Sequence, residues 1–324
     1  MSEQIRVGVI GVGYMGQHHA RVWSIMPGCR LVGVADANFA RAQEIAGLYD
    51  VRAFDDHRKL LEQVDAVSIA APTLLHHNLG LECASFGVHV MIEKPLAATS
   101  AEAQELVKTA EQAQVLLQVG HVERFNPTFV ELQHVLAGSE ILAIDARRLS
   151  PTSTRAADVS VVYDLLVHDL DLTLALFGSE PTELYAIGRK ILVSQLDFVV
   201  ALLTFPQGGL VTLTASKATQ HKVRELTVTC RDAFVVADFL NRTVMIHRQS
   251  SADYFAQQGE VLYRQESIIE QVYVPPVEPL YAELRHFLTC VQEQHRPLVT
   301  GADALRVMAL ADQVEASALA RLSG

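Results

Sequence analysis

Gly11-x-Gly13-x-x-Gly16 stands directly after an apolar run and directly before a segment of helical spacing, and Asp36 closes the next apolar run, 20 residues past Gly16. That arrangement binds a dinucleotide. Gly11 permits a tight turn, Gly13 lets the backbone approach a pyrophosphate, Gly16 brings helix and strand together, and the helix N-terminus offers unpaired N–H groups to the anion. A carboxylate at position 36 accepts from the adenosine ribose hydroxyls and repels a 2′-phosphate, and no Arg follows it immediately, so NAD is favoured over NADP. Arg41, a helical turn further on, reads as a solvated helix residue. Two other groupings can handle protons: Lys94 in Glu93-Lys94-Pro95, and Asp164-x-x-x-His168. Oxidising a secondary alcohol needs a base at the hydroxyl and a group that stabilises the developing alkoxide. On the residues alone, alternatives stay open. Lys94 is either such a group or a solvated loop lysine, and Asp164 and His168 share a helix face either as a functional pair or as an ordinary helical one.

The histidine-rich spans His18-His19, His76-His77 and His168-Asp169-Leu170-Asp171 raise the question of a metal. Adjacent histidines point apart on a helix and no third ligand is evident, so no metal is expected.

The elements that must position these groups follow from periodicity. From residue 5 to 121, the short runs RVGVIG, LVGVAD, VDAVSIAA, HVMIEK and VLLQVGH alternate with segments of helical spacing, which predicts βαβ units and a parallel, doubly wound sheet. The helix after Gly16 should end at Pro27-Gly28, with later helices capped by Asp55 and Ser100 and another running from Asn126-Pro127 to Gly138. Beyond Glu140 strands dominate: EILAIDARRL, TELYAIGRKI, LDFVVALLTF, GLVTLTAS, RELTVTC, AFVVADFL, TVMIHRQ and SIIEQVYV, interrupted by a helix over about 162–177. Helical periodicity returns from Glu278, broken at HRPLV. The expected organisation is an α/β Rossmann domain over 1–121 and an α+β domain over 122–324 with a large, mainly antiparallel open sheet, the last helices able to pack back on the first domain. In GLVTLTAS, Val211, Leu213 and Ala215 alternate with Thr212, Thr214 and Ser216. The sheet therefore has two unlike faces, and the polar one is a candidate contact with a second copy of the chain.

Composition bounds the rest. The chain has 324 residues, 50% hydrophobic and 19% charged, with a net charge of −11 and a pI near 5.6. No general basic surface exists to neutralise nucleic acid or an anionic membrane. The four cysteines lie far apart without ligand spacing, which fits a reducing cytoplasm. The N-terminus has no signal-peptide pattern, and the apolar stretch 191–205 is cut by Ser194, Gln195 and Asp197, so no spanning segment is expected.

Glu93-Lys94-Pro95, Ala71-Pro72-Thr73 with His76, and Asp164-x-x-x-His168 together resemble the glucose–fructose oxidoreductase, inositol dehydrogenase and rhizopine-catabolism (Gfo/Idh/MocA) family, over essentially the whole chain. GHVERFNP, DARRLSP and YDLLVHDLDL look most like those members that oxidise UDP-N-acetylglucosamine at its 3-hydroxyl. The resemblance implies an NAD-dependent sugar dehydrogenase with Lys94, Asp164 and His168 as its catalytic set. His168 would be the base, Lys94 would polarise the hydroxyl, and Asp164 would orient substrate or lysine. It also implies that Tyr14 and Met15 line the pyrophosphate turn, that Thr73 and His76 approach the nicotinamide-side ribose, and that Glu93 and Lys94 lie near the bound cofactor's nicotinamide. For a UDP-sugar, Arg124, Asn126, Arg148 and Arg155, with Arg147, Ser153 and Thr154, are candidate diphosphate partners, the alternative being a solvated loop. A homodimer or homotetramer, and an aminotransferase consuming the ketosugar, are the implied partners. Two other readings are a dehydrogenase of a free cyclic polyol and a non-catalytic NAD-binding regulator.

Overall fold

The computed structural model describes residues 4–151, 158–206, 208–249, 253–257, 260–264 and 267–322. Two compact units divide the chain. The first comprises residues up to Phe125 together with Val277–Ala309, and the second comprises Asn126–Pro276 and the segment from Leu310 onward.

The first unit is a parallel six-stranded sheet of β1 (Ile5–Ile10), β2 (Cys29–Ala35), β3 (Arg52–Phe54), β4 (Ala66–Ile69), β5 (His89–Glu93) and β6 (Leu117–Gly120), in the order β3-β2-β1-β4-β5-β6. Helices α1 (Tyr14–Ile25), α2 (Phe39–Tyr49), α3 (His57–Leu61), α4 (Thr73–Ser85) and α5 (Ser100–Gln112) connect successive strands. Because both sheet faces are covered, the strands read as unbroken apolar runs. Val7, Val9 and Met91 belong to one core cluster, while Ile10, Val67, Ile69 and Ile92 belong to the other. The strand order reverses between β1 and β4, and open α/β sheets bind ligands at such a point, outside the carboxyl ends of the strands. Two of the expected helix starts are displaced by one residue. Asp56 rather than Asp55 caps α3, and Thr99 rather than Ser100 caps α5. Thr99 closes a full capping box with Glu102, the partner that Ser100 lacks.

Helix α8 (Pro279–Glu293) also belongs to this unit, Leu280, Leu284, Phe287, Leu288 and Val291 filling the core beside Trp23. Each such side chain contributes about 1.5–3 kcal/mol on burial. The long helix α9 (Gly301–Leu319) follows.

The second unit contains α6 (Pro127–Leu136), β7 (Ile141–Leu149), a π-helical turn at Val162–Leu166 and α7 (Val167–Phe177). There follow β8 (Glu183–Arg189), β9 (Phe198–Thr204), β10 (Leu210–Ser216), β11 (Val223–Cys230), β12 (Phe234–Asp238), β13 (Thr243–Gln249) and β16 (Ser267–Val272), with a separate hairpin β14 (Asp253–Gln257) and β15 (Glu260–Arg264) between the last two. The eight-stranded sheet runs β16-β13-β12-β11-β7-β10-β9-β8. It is antiparallel except where β10 pairs parallel with β7, so the mainly antiparallel expectation holds, with one mixed seam. Val211, Leu213 and Ala215 are buried as their alternation requires. At the β8 edge, the Ala186 amide donates to Ser317 Oγ (2.9 Å), and the same hydroxyl lies 3.4 Å from the Ala186 carbonyl.

Candidate active site

The glycine-rich turn is built by contacts that only glycine allows. Gly11 sits at φ +82°, where a Cβ would lie 2.7 Å from the Ala71 backbone, and a Cβ on Gly16 would lie 1.8 Å from the Gly11 carbonyl oxygen. Around Gly13, by contrast, nothing stands within 4 Å of where a Cβ would be. Its smallness serves no internal packing, and the open space beside the uncapped N-terminus of α1 suits a pyrophosphate. Tyr14, exposed and edge-on to His18, and half-buried Met15 open that helix.

Asp36 Oδ2 accepts from the Val12 amide and Oδ1 from the Asn38 amide, both at 2.8 Å, which fixes the carboxylate at the mouth of a cavity of about 250 Å3. Asp55, His57, Leu75 and Leu79 also line it. Arg41 is not a solvated helix residue. Its guanidinium donates to the Val12 carbonyl (3.0 Å) and to Gln17 (2.9 Å), so it braces the turn from behind. Asp36→Ala should weaken NAD binding about 10- to 100-fold, the loss of charge-assisted hydrogen bonds worth ~1.5–3 kcal/mol, and should narrow the preference over NADP. Fluorescence titration with both reduced cofactors checks this; unchanged affinities would remove Asp36 from the site.

At the end of β5 the Lys94–Pro95 peptide is cis, and Lys94 is half-buried. Glu93 is turned inward: its Oε1 lies 2.9 Å from His19 Nε2, and its Oε2 accepts the Lys94 amide at 3.3 Å. Gly120 lets it fit, since a Cβ there would meet the Glu93 Cα at 3.0 Å. His76 is buried in the first turn of α4, with Nδ1 2.8 Å from the Pro95 carbonyl and Nε2 2.8 Å from the Ala71 carbonyl. Both ring nitrogens are thus engaged in bracing the Lys94 turn, while Thr73, half-buried, opens α4. His121 is also buried here. Burial, reinforced by the positive charges of Lys94 and Arg124, pushes its imidazole down to about 3, so it is neutral at physiological pH.

Burial alone would raise the Glu93 carboxyl. The His19 hydrogen bond, together with the charges of His19 and Lys94, outweighs burial and holds it below its ordinary value of 4.5. A depressed carboxyl contributes stability that is present above 4.5 and is lost as pH falls through the folded value. Glu93→Gln should therefore flatten the acid-side decline in unfolding free energy between about pH 6 and pH 3. Parallel wild-type and variant curves in urea titrations would show that Glu93 carries none of that decline.

In the second unit, the π-turn is marked by the Val167 amide reaching back to the Val162 carbonyl, and it carries Asp164 into α7, whose first turn bears His168. Such single-turn π insertions cluster at functional sites. Both side chains are half-buried. Asp164 pairs with Lys217 (3.2 Å), a buried lysine that also donates to the Val159 carbonyl at 2.5 Å. Tyr163 donates to Asp312 (2.8 Å) and Ser160 to Glu315 (2.6 Å), which ties the start of this helix down on both sides.

The candidate diphosphate partners scatter. Arg124 is half-buried in the first unit. Asn126 caps α6 by accepting the Thr128 amide. Arg147 and Arg148 lie on opposite faces of β7, and Arg147 is exposed. Arg148 is buried, its Nε 3.0 Å from both Asp169 oxygens and its Nη2 2.8 Å from Oδ1. That position corrects the expectation for Arg148: its fork is filled by a neighbouring carboxylate, and it sits away from solvent. Arg155, with Ser153 and Thr154, lies outside the described residues. Residue chemistry alone did not single out Lys217 or His121. The signal for Lys217 was present, since position 217 continues the inward phase of Val211, Leu213 and Ala215.

Comparison with known proteins places this geometry. Residues 5–121 match the model described as oxidoreductase family, NAD-binding Rossmann fold, and residues 140–236 match the GFO/IDH/MocA C-terminal domain. The UDP-N-acetylglucosamine 3-dehydrogenase of Acidithiobacillus ferrooxidans is 34% identical over 311 residues, 96% of each chain. The chain belongs to the Gfo/Idh/MocA oxidoreductase family. A solved structure of that same enzyme superposes with a TM-score of 0.91 at 32% identity, covering 99% of this chain and all of the other. The scyllo-inositol 2-dehydrogenase (NAD(+)) of Bacillus subtilis is 24% identical over 324 residues, 94% of this chain and 91% of its own. As a member of this family the chain is an oxidoreductase with NAD as cofactor, and the turn at Gly11–Gly16 with Asp36 fits that cofactor.

Proposed function

We propose that this oxidoreductase removes two hydrogens from a secondary hydroxyl of a nucleotide sugar, converting UDP-N-acetylglucosamine to its 3-keto derivative. The observation that carries this reading is the near full-length similarity to an enzyme of that activity, in a chain that keeps Lys94, Asp164 and His168. Bound NAD supplies the hydride acceptor. His168 takes the hydroxyl proton, Lys94 polarises the hydroxyl oxygen through its ammonium, and Asp164 orients the group beside it. Arg124 and the exposed Arg147 are the described arginines still offered to the diphosphate. The family resemblance further implies an aminotransferase that consumes the reactive ketosugar and feeds amino-sugar synthesis in the cytoplasm.

The second reading, oxidation of a free cyclic polyol, is favoured by the full-length similarity to the inositol enzyme. Mass spectrometry of UDP-N-acetylglucosamine incubated with stoichiometric protein and NAD decides between them, with myo-inositol in parallel. Stoichiometric protein makes an uphill equilibrium visible. A UDP-sugar lighter by two hydrogens supports the first reading; oxidation of inositol alone overturns it.

The outward face of the second-unit sheet supports a homo-oligomer. Tyr185, Ile187, Leu202 and Leu210 are all at least two-fifths exposed there. Sedimentation at micromolar concentration should give a dimer or tetramer, and a pure monomer would remove the proposal.

A further inference from the structure

We infer that Lys217 is a positioning residue for the proton-transfer helix, holding the Asp164 carboxylate in place and balancing its charge beside His168. The inference rests on the reading of Asp164 and His168 as the proton-handling pair.

Position 217 lies just past β10, one step beyond Ser216, and continues the inward phase of that strand. The side chain is therefore driven into the protein, where an ammonium persists only with partners. Two of its partners bracket the π-turn. The Val159 carbonyl precedes the turn, and the Asp164 carboxylate lies within it. A cation at this point clamps the entry of the helix to its functional residue and resists the rotation that a wide π-turn otherwise permits. His168 lies one turn further along, so the charge state at Asp164 bears directly on the imidazole.

Other charged groups near this helix, among the described residues, are engaged elsewhere or buried. Arg148 on β7 engages Asp169, Asp312 accepts from Tyr163, Glu315 accepts from Ser160, and Asp171 is buried on α7 itself. Lys217 lies within ion-pair distance of Asp164. Removing it leaves a carboxylate without that balance close to the base, and an imidazole near such a carboxylate keeps its proton to higher pH. A protonated base cannot accept from the substrate. The cost then appears in turnover rather than in binding.

The test uses the full chain in four forms: wild type, Lys217→Met, Asp164→Asn and the double variant. In Lys217→Met, kcat should fall about 100-fold, as misplacement of a catalytic group does. KM and NAD affinity should stay within about twofold of wild type by the same argument. NMR titration of histidine-labelled protein, without substrate, should show His168 holding its proton to a pH about one unit higher. The double variant should return the His168 titration toward wild type and be no slower than Asp164→Asn alone. Lys217→Arg, which keeps the charge, should recover part of the lost turnover. An unchanged His168 titration, or losses that simply add in the double variant, would overturn the inference. If Lys217→Met fails to fold, the double variant still decides, because it removes both charges together. The titration needs no substrate, so it separates the two failures. Wild-type protein inert toward both UDP-N-acetylglucosamine and inositol, yet with a shifted His168 in Lys217→Met, would sink the substrate reading and leave Lys217 where it is.

Discussion

Lys94→Ala should lower kcat by about 10²- to 10⁴-fold, the range lost with a positioned proton-handling or polarising group, while NAD affinity changes little. Several features of the structure single out this lysine. It leaves β5 at the carboxyl edge of the parallel sheet, where such sheets place their ligands. Its turn is braced rather than mobile: His76 holds the Pro95 carbonyl, and the Glu93 carboxylate accepts the Lys94 amide while hydrogen bonding to His19. Its ammonium contributes to keeping the buried His121 neutral. None of these supports lies in the Asp36 cavity or at Gly13, so the cofactor should still bind when the lysine is gone. Stopped-flow turnover and a parallel NADH titration separate the two quantities. Retained turnover in the variant would remove Lys94 from the catalytic set. Loss of both activities together would mean that the turn, rather than the ammonium, had been damaged.

Arg148→Met should destabilise the second unit by about 3–5 kcal/mol, the cost of leaving a buried charge without its partner. The Asp169 carboxylate is buried and takes the guanidinium at both oxygens, so deletion of the arginine strands it next to the helix that carries His168. The double variant Arg148→Met/Asp169→Leu should recover most of the loss, since replacing both partners of a buried pair by apolar groups is often neutral. Urea unfolding of the three variants at fixed pH measures this through the midpoint at constant slope. A diphosphate-binding arginine would behave in the opposite way, with stability near wild type and a raised KM for the UDP-sugar.

These two residues show what the sequence could reveal and where it stopped. The glycine turn and its carboxylate were legible because each depends on local spacing, a strand, a tight turn and a helix start, whereas Lys94 at its strand end was assigned only through the family resemblance. The large second sheet was legible from alternation, strand by strand, although the parallel seam between β10 and β7 was not, since pairing direction leaves no local mark. Arg148 was read as a diphosphate partner and Lys217 was not read at all, although both continue an inward phase, Ile144 and Ala146 before Arg148, and Val211, Leu213 and Ala215 before Lys217. Read by phase, both are buried cations that require carboxylates, and both find them on the helix bearing the predicted proton-transfer pair. The π-turn was invisible because the apolar spacing of 162–177 is that of an ordinary helix. The bracing contacts of His19 and His76 left no sequence signal, since their partners Glu93 and Pro95 lie on elements distant in sequence.

The β8 edge has a colloidal consequence. A strand at the rim of a sheet invites the backbone of another molecule, and in Ala186 both the amide and the carbonyl are already occupied by one hydroxyl, that of Ser317. The neighbouring Tyr185 ring carries the Arg321 guanidinium 4.4 Å from its centre, so a fixed cation guards the same stretch. Any association through the flat face of this sheet is thereby kept from continuing sideways, strand to strand, into an open-ended polymer. A single small side chain thus closes this stretch of the rim to strand-to-strand growth.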